Sequence, residues 1–346
     1  MKALYLSRSK LTSSVNAVYI KGLRANGVEV DEMFVRRNEF FNLIKYLLEN
    51  RKSWDLIFVG YDSPTLVPFA KIFSNKKVVY NALCSVYERL IISRKLASRY
   101  SIKAVYYWLS DFLAVHLANL TMVETMAQAR FFKRFFKIPN SKLFVAWSGV
   151  DENSFKFNSE ISKFLTFTVL FRGIFMPESG AEYVVQAAKI LEKEDVKFII
   201  KGGGLHWDKL REMIKELNPQ NLELKLDFLD NDELSSLMQK CHLSLGQLSD
   251  HPRLIRTIPH KCYESLALKL PYLTVKNSGV LELLRPDETC LVCESADARS
   301  LANAIMNAKN NPNKLEIIST NGYNFYAQHL RSHILAGNLL KRINKL

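Results

Sequence analysis

The sequence predicts an α/β protein made of two doubly wound parallel sheets in tandem. Three observations carry this expectation. Short apolar strands alternate with amphipathic helices. Each strand ends in a polar or Gly-containing loop, and after the polar stretch 152–164 the whole pattern starts again. At 346 residues the chain is long enough for two domains of ordinary size, each with its own core. The irregular spacing and the second, similar set argue against a barrel.

The elements follow in order. Lys2–Ser7 reads as a strand, Arg8–Ser14 as a polar loop, Val15–Asn26 as a helix closed by Gly27, and Val28–Val35 as a second strand. Ligands of such sheets sit beyond the strand C-termini, which makes the Ser7–Ser14 loop, with Ser13 and Ser14, a candidate ligand contact at a cleft. Phe40–Asn50 is an amphipathic helix and Trp54–Gly60 an apolar strand. Its following loop holds Asp62, a second candidate there, and leads into the helix Thr65–Phe73. Lys77–Asn81, Leu120–Val123 and Lys142–Val145 complete the first set of strands. In the second set, Leu165–Phe171 leads into Arg172-Gly173-Ile174, Ala181–Glu192 is a helix, and Lys197–Lys201 runs into Gly202-Gly203-Gly204. Glycines there allow a backbone to approach a phosphate or base closely. Leu222–Phe228 is a strand, and Leu229–Leu234 caps the next helix. Cys241–Leu245 is a buried strand opening into the polar loop Gly246–Arg256.

Composition narrows the function classes. Hydrophobic residues make up 48% and charged residues 24%, the balance of a globular protein. No apolar run reaches the ~18 residues of a membrane-spanning helix, and the first residues form a strand rather than a signal peptide. Five scattered cysteines suit a reducing cytoplasm. Cys290 and Cys293 have redox or zinc spacing, but they fall on a strand where residues three apart point to opposite faces. No His/Asp/Glu cluster has metal-ligand spacing, so no metal and no cofactor is expected.

The net charge of +14 is uneven: residues 1–160 hold 24 Lys and Arg against 13 Asp and Glu, the remainder 24 against 21. A basic first half favours an anionic partner. Two stretches there mix basic and aromatic residues: Ser85–His116 reads equally as a surface for an anionic membrane or as a core-packing helix with a solvated basic face, and Arg130–Lys137 is expected at an anionic membrane surface. No recognised nucleic-acid-binding module is present.

The most informative stretch is Ile258–Val292. Pro259 presets the backbone before a helix, read here as Tyr263–Lys269. Pro271 ends it, and Tyr272–Val275 is a β-branched and aromatic strand. Lys261 and Glu264 lie three apart, so both can face one cleft. The N–H groups of the first turn, placed around Glu264, Ser265 and Leu266, are free to bind an anion.

This stretch resembles the nucleotide-sugar site of the retaining glycosyltransferases of family 4, whose GT-B fold sets two Rossmann-like domains face to face across a cleft. Glu264 matches the family Glu that binds the donor ribose. Ser278-Gly279-Val280-Leu281-Glu282-Leu283 matches the loop that opens the next helix. The resemblance extends to Gly173, Pro177 and Gly180, to Val150-Asp151 with Phe155 at the end of the first domain, and to the helix from Asp297. It implies domains at 1–160 and 161–322, with a helix over 323–346 crossing back to the first. It also implies a transferase that moves a sugar from a UDP- or GDP-sugar to a hydroxyl of a glycan or lipid-linked acceptor, with retention and without an obligatory metal. Lys261 and Glu264 would be its principal groups, and Ser265, Leu266, Ser278, Gly279 and Val280 would line the donor pocket.

Three departures stand out. Ile174 replaces the usual Arg, Ser179 the usual Lys, and Arg256 the first of two Glu residues. Lys261, with Arg253 or Arg256, is therefore expected to supply the cationic clamp. Two further readings stay open: a non-catalytic nucleotide- or glycan-binding regulator, and an epimerase or phosphorylase on the same fold.

Overall fold

The computed structural model describes every residue except Arg37. The chain divides into two compact units, Met1–Asp151 with Leu330–Leu346, and Glu152–His329. Residues 152–160, expected to close the first domain, thus belong with the second unit.

In the first unit, β1 (Lys2–Ser7), β2 (Glu29–Phe34), β3 (Leu56–Val59), β4 (Lys77–Leu83), β5 (Leu120–Val123) and β6 (Leu143–Val145) form one parallel sheet, ordered β2-β1-β3-β4-β5-β6. β3 and β5 are buried at every position, as central strands covered on both faces must be. β2 at the edge buries Val30 but exposes Glu29 and Glu32, which keeps that edge charged. The strands are joined through α1 (Ser14–Ala25), α2 (Phe40–Glu49), α3 (Leu66–Ser74), α4 (Ile102–Leu117) and α5 (Met126–Phe136). Ser101 and Thr125 cap the last two, accepting from the N–H groups of Ala104 and Gln128. Gly60 is required where β3 ends: a Cβ there would lie 2.7 Å from Asn16 Oδ1 and 2.8 Å from the Tyr5 ring.

α5 divides the four rings of Arg130–Lys137 between core and surface. Phe132 and Phe136 are fully buried. Phe131 stacks on Phe135 at 5.0 Å, and Phe135 on Tyr87 at 5.7 Å. Phe132 and Phe136 thus belong to the core of this unit, while Phe131 and Phe135 are half-buried against it and stay partly at the surface with the basic residues. The sequence run hid a helix whose rings close an interior face.

In the second unit, β7 (Phe167–Ile174), β8 (Val196–Gly203), β9 (Leu222–Lys225), β10 (Leu243–Leu245), β11 (Tyr272–Val275) and β12 (Leu291–Cys293) form a second parallel sheet, ordered β12-β11-β10-β7-β8-β9. Around it lie α6 (Ala181–Ile190), α7 (Trp207–Leu217), α8 (Asn231–Lys240), α9 (His260–Ala267), α10 (Ala298–Asn310) and α11 (Pro312–His329). Asp230 and Glu233 form a reciprocal capping box at the start of α8. β7 and β8 run further than the apolar pattern predicts, because Gly173 pairs with Gly202 and Ile174 with Gly203. Cys290 and Cys293 are buried free thiols, which burial pushes up to about 12.

The helix expected over 323–346 is broken. α11 ends at His329, and α12 (Ser332–Ile343) begins after the buried Leu330 and packs on α1 in the first unit. The contact is close: a Cβ on Gly22 would stand 2.1 Å from the Ser332 carbonyl oxygen. No helix among the described residues is long and apolar enough to cross a membrane.

Candidate functional site

The second sheet has one topological switch point. The chain builds outward from β7 through β8 to β9, then returns to place β10 on β7's other side. In open parallel sheets the ligand crevice lies outside the strand C-termini at such a point, here where β7 ends in Phe171-Arg172-Gly173-Ile174. α9 brings its first turns against that end. Lys261 Nζ sits over the Phe171 ring, 4.2 Å from its centroid, and a Cβ on Gly173 would lie 3.8 Å from the same nitrogen. One helical turn on, Glu264 forms an ion pair with Arg172. Both Lys261 and Glu264 are 7% exposed.

The electrostatics of this spot are one-sided. Burial, then the charge of Arg172, holds the Lys261 ammonium well below its ordinary range. Among the described residues no hydrogen bond or ion pair reaches Lys261 Nζ. Its cation–π contact contributes about 2 kcal/mol at best, against several kcal/mol for desolvating an ammonium. Lys261 also lies in the first turn of α9, where the helix dipole favours an anion over a cation. Arg172 is itself buried and, although burial lowers it to about 10, stays protonated at neutral pH. His260 completes the group. Burial, reinforced by Arg172, brings its imidazole down to about 4, and neither ring nitrogen has a hydrogen-bond partner. The arrangement sets the Lys261 amine beside the Arg172–Glu264 ion pair and a neutral imidazole, and an anion bound there would favour the protonated lysine.

Gly173 and Gly202 hold the floor open. Their φ values are +127° and +140°, and a Cβ on Gly202 would meet the Gly173 carbonyl oxygen at 2.0 Å. A Cβ on Gly203 would meet nothing within 4 Å. Ile174 is exposed and Ser179 buried, with the Ser179 hydroxyl donating to the Met176 carbonyl at 2.7 Å.

Several expectations need correction. α9 starts at His260 rather than Tyr263, so Glu264, Ser265 and Leu266 lie beyond the first turn. The amides of Ser265 and Leu266 are therefore inside the helix and cannot bind a phosphate, and the Ser265 hydroxyl donates to the Lys261 carbonyl at 2.6 Å. Arg253 is paired to Glu178 at 2.9 Å, which neutralises it as a clamp. Arg256 caps the short turn Pro252–Ile255 and is half-buried. In the loop 278–280, the Ser278 hydroxyl donates to Ile255, the Val280 N–H donates to Asn277 Oδ1, and Val280 is fully buried. A Cβ on Gly279 would meet the Leu254 carbonyl oxygen at 2.4 Å. These contacts brace the loop against the segment before α9.

Sequence reasoning missed Arg172 and His260. Each had a signal, Arg172 as a cation directly before the strand-end glycine, and His260 as a polar residue in the turn before Lys261. In the first unit, Asp62 lines a groove of about 980 Å³ and forms an ion pair with Arg89. Ser13 precedes α1, its hydroxyl donating to the Lys10 carbonyl at 2.7 Å, and Ser14 opens that helix; neither lines this groove. Among the described residues no three His, Cys, Asp or Glu side chains gather as a metal site.

Fold and comparison agree on the class: two six-stranded parallel sheets of the GT-B glycosyltransferase type. Residues 154–325, nearly the whole second unit, match the model of the family Glycosyl transferases group 1. The structure of Anabaena HepE in complex with UDP and glucose covers the full length of both chains at 17% identity, with a TM-score of 0.75. Sucrose-phosphate synthase from Thermosynechococcus elongatus, at 13% identity, covers 100% of this chain and 99% of its own, with a TM-score of 0.76. An uncharacterised glycosyltransferase of Methanocaldococcus jannaschii is 23% identical over 162 residues, 43% of this chain and 40% of the relative. The chain thus spans less than half of that relative's length.

Proposed function

We propose that the protein is a glycosyltransferase that moves a hexosyl group from a nucleoside-diphosphate sugar to a hydroxyl acceptor with retention of configuration. The observation that carries this is Lys261: a buried amine that no hydrogen bond or ion pair reaches among the described residues, set over the end of β7 beside Gly173. A donor diphosphate supplies the missing negative charge, and the same group, protonated, stabilises the leaving diphosphate as the glycosidic bond breaks. Glu264, held by Arg172, accepts from the ribose hydroxyls. Such a scheme needs neither a protein nucleophile nor a resident metal. UDP or GDP is the expected carrier, and the UDP and UDP-glucose complexes of Anabaena HepE favour UDP. The basic first half favours an acceptor of cell-surface glycan or glycolipid assembly, met at the cytoplasmic face of a membrane.

A second reading, a nucleotide-binding regulator without transfer, draws on Ile174 and Ser179, which leave the floor with fewer cations than the resemblance implies. One assay separates the two. Release of UDP from UDP-sugars is followed with wild type and Lys261→Met over a panel of hydroxyl acceptors. Transfer, or slow donor hydrolysis abolished by the substitution, is the expected result. Donor binding without either reaction would leave the regulator, and no donor binding at all would end both.

A further inference from the structure

Helix α4 of the first unit carries a surface that the donor chemistry does not use. Ile102, Val105, Tyr106, Leu109 and Leu113 are all exposed, Ile102 at 90% and Val105 at 58%. At 100° per residue they fall within an arc of about 100°. The opposite face, with Ala104, Asp111 and Val115, is buried in the unit. An apolar face this complete is a cost in water unless something covers it.

Charge says what does. Between Arg94 and Leu113 stand four basic residues, Arg94, Lys95, Arg99 and Lys103, and one acid, Asp111. Asp111 is buried, accepting from the Ser85 hydroxyl at 2.7 Å, so it does not face outward. The stripe also runs into the large groove: Tyr106 belongs to both, and Lys103, next to the stripe on the helix, lines the groove as well. Among the described residues that groove is lined by the cations Arg8, Arg36, Arg89, Arg94 and Lys103 and by one carboxylate, that of Asp62, which pairs with Arg89. An apolar stripe rimmed by cations and opening into a basic groove matches a phosphate-bearing lipid in an anionic bilayer, its head in the groove and its leaflet against the stripe.

We infer that α4 docks this protein on an anionic membrane and that the groove beneath it holds a lipid phosphate headgroup. The inference deepens the proposed function by naming the acceptor's chemistry, and it rests on that reading only for the transfer itself. The full chain is sedimented with phosphatidylcholine vesicles, with and without about 30% phosphatidylglycerol. Binding to the anionic vesicles alone is expected, weakening as salt rises. Ile102→Asp with Val105→Asp should weaken it about tenfold or more, and Lys103→Ala roughly fivefold. All three positions are on exposed or half-buried surface, and an unchanged melting temperature verifies folding. Equal binding to neutral vesicles, or variants that bind like wild type, would overturn the inference. So would full competition by inorganic diphosphate at matched phosphate, which would mark a soluble ligand. A change of oligomeric state on Ile102→Asp would mark instead a second copy of this chain as the partner. UDP binding by the same preparations keeps a failure here separate from a failure of the donor site.

Discussion

Lys261→Met removes the buried amine and keeps most of the side chain's volume, and its effects on stability and binding should run in opposite directions. In the free protein the ammonium is desolvated, faces Arg172 and sits at the wrong end of the α9 dipole. Against this stands only the Phe171 ring at 4.2 Å, about 2 kcal/mol at most. Replacing a buried charge by an apolar side chain of similar size is commonly neutral or stabilising, by about 1–4 kcal/mol. The melting temperature should therefore hold or rise, by roughly 2–4 °C per kcal/mol for a unit of this size. The bound diphosphate, by contrast, loses a charge-assisted hydrogen bond of about 1.5–3 kcal/mol, or roughly 10–150-fold in affinity. Differential scanning fluorimetry reads the first and titration calorimetry with UDP the second. A lower melting temperature with unchanged UDP affinity would make Lys261 a structural residue and refute this reasoning.

Other consequences follow from the same geometry. Glu264→Gln strands the buried Arg172 guanidinium and should cost about 3–5 kcal/mol in urea unfolding, part of it recovered by adding Arg172→Met; full stability of the single variant would show that the pair contributes nothing. Gly202→Ala should destabilise by about 1–3 kcal/mol or more, because φ is +140° and Gly173 blocks the Cβ, whereas Gly203→Ala should be tolerated. Equal melting temperatures for the two would contradict the strand-end geometry. The lowered pKa of Lys261 has two pH consequences. Between its folded and unfolded pKa the unfolded chain binds more protons, so stability from this group rises with pH across that window. A bound diphosphate raises the ammonium's pKa, so UDP binding should take up protons and weaken as pH rises through the free-state value. Calorimetry in buffers of different ionisation heat measures that uptake, and zero uptake in wild type would count against it.

The alternation of strands and helices was legible because parallel strands covered on both faces read as short continuous apolar runs. Leu120–Val123 and Tyr272–Val275 fall where the pattern puts them. What escaped was set by tertiary contacts. Strand ends at Gly173 and Gly202 carry no hydrophobic signal, yet their backbones pair. The start of α9 was misjudged because Pro259, His260 and Lys261 look like loop, while burial from Lys261 onward lets the helix begin at His260 with Pro259 as its N-cap. That shift moved the Ser265 and Leu266 amides out of reach and put Lys261 in the first turn. Arg253 was read as a ligand because nothing local reveals that Glu178, far away in sequence, would neutralise it. The phenylalanines of α5 show the same limit, since an eight-residue run cannot say which rings meet the core.

The account rests on an anion settling beside Lys261, and a crystal structure of the chain with UDP-glucose tests that directly. A diphosphate oxygen about 3 Å from Lys261 Nζ, with ribose hydroxyls on Glu264, is the predicted result. UDP-glucose bound elsewhere, with Lys261 still resting on Phe171, would contradict it.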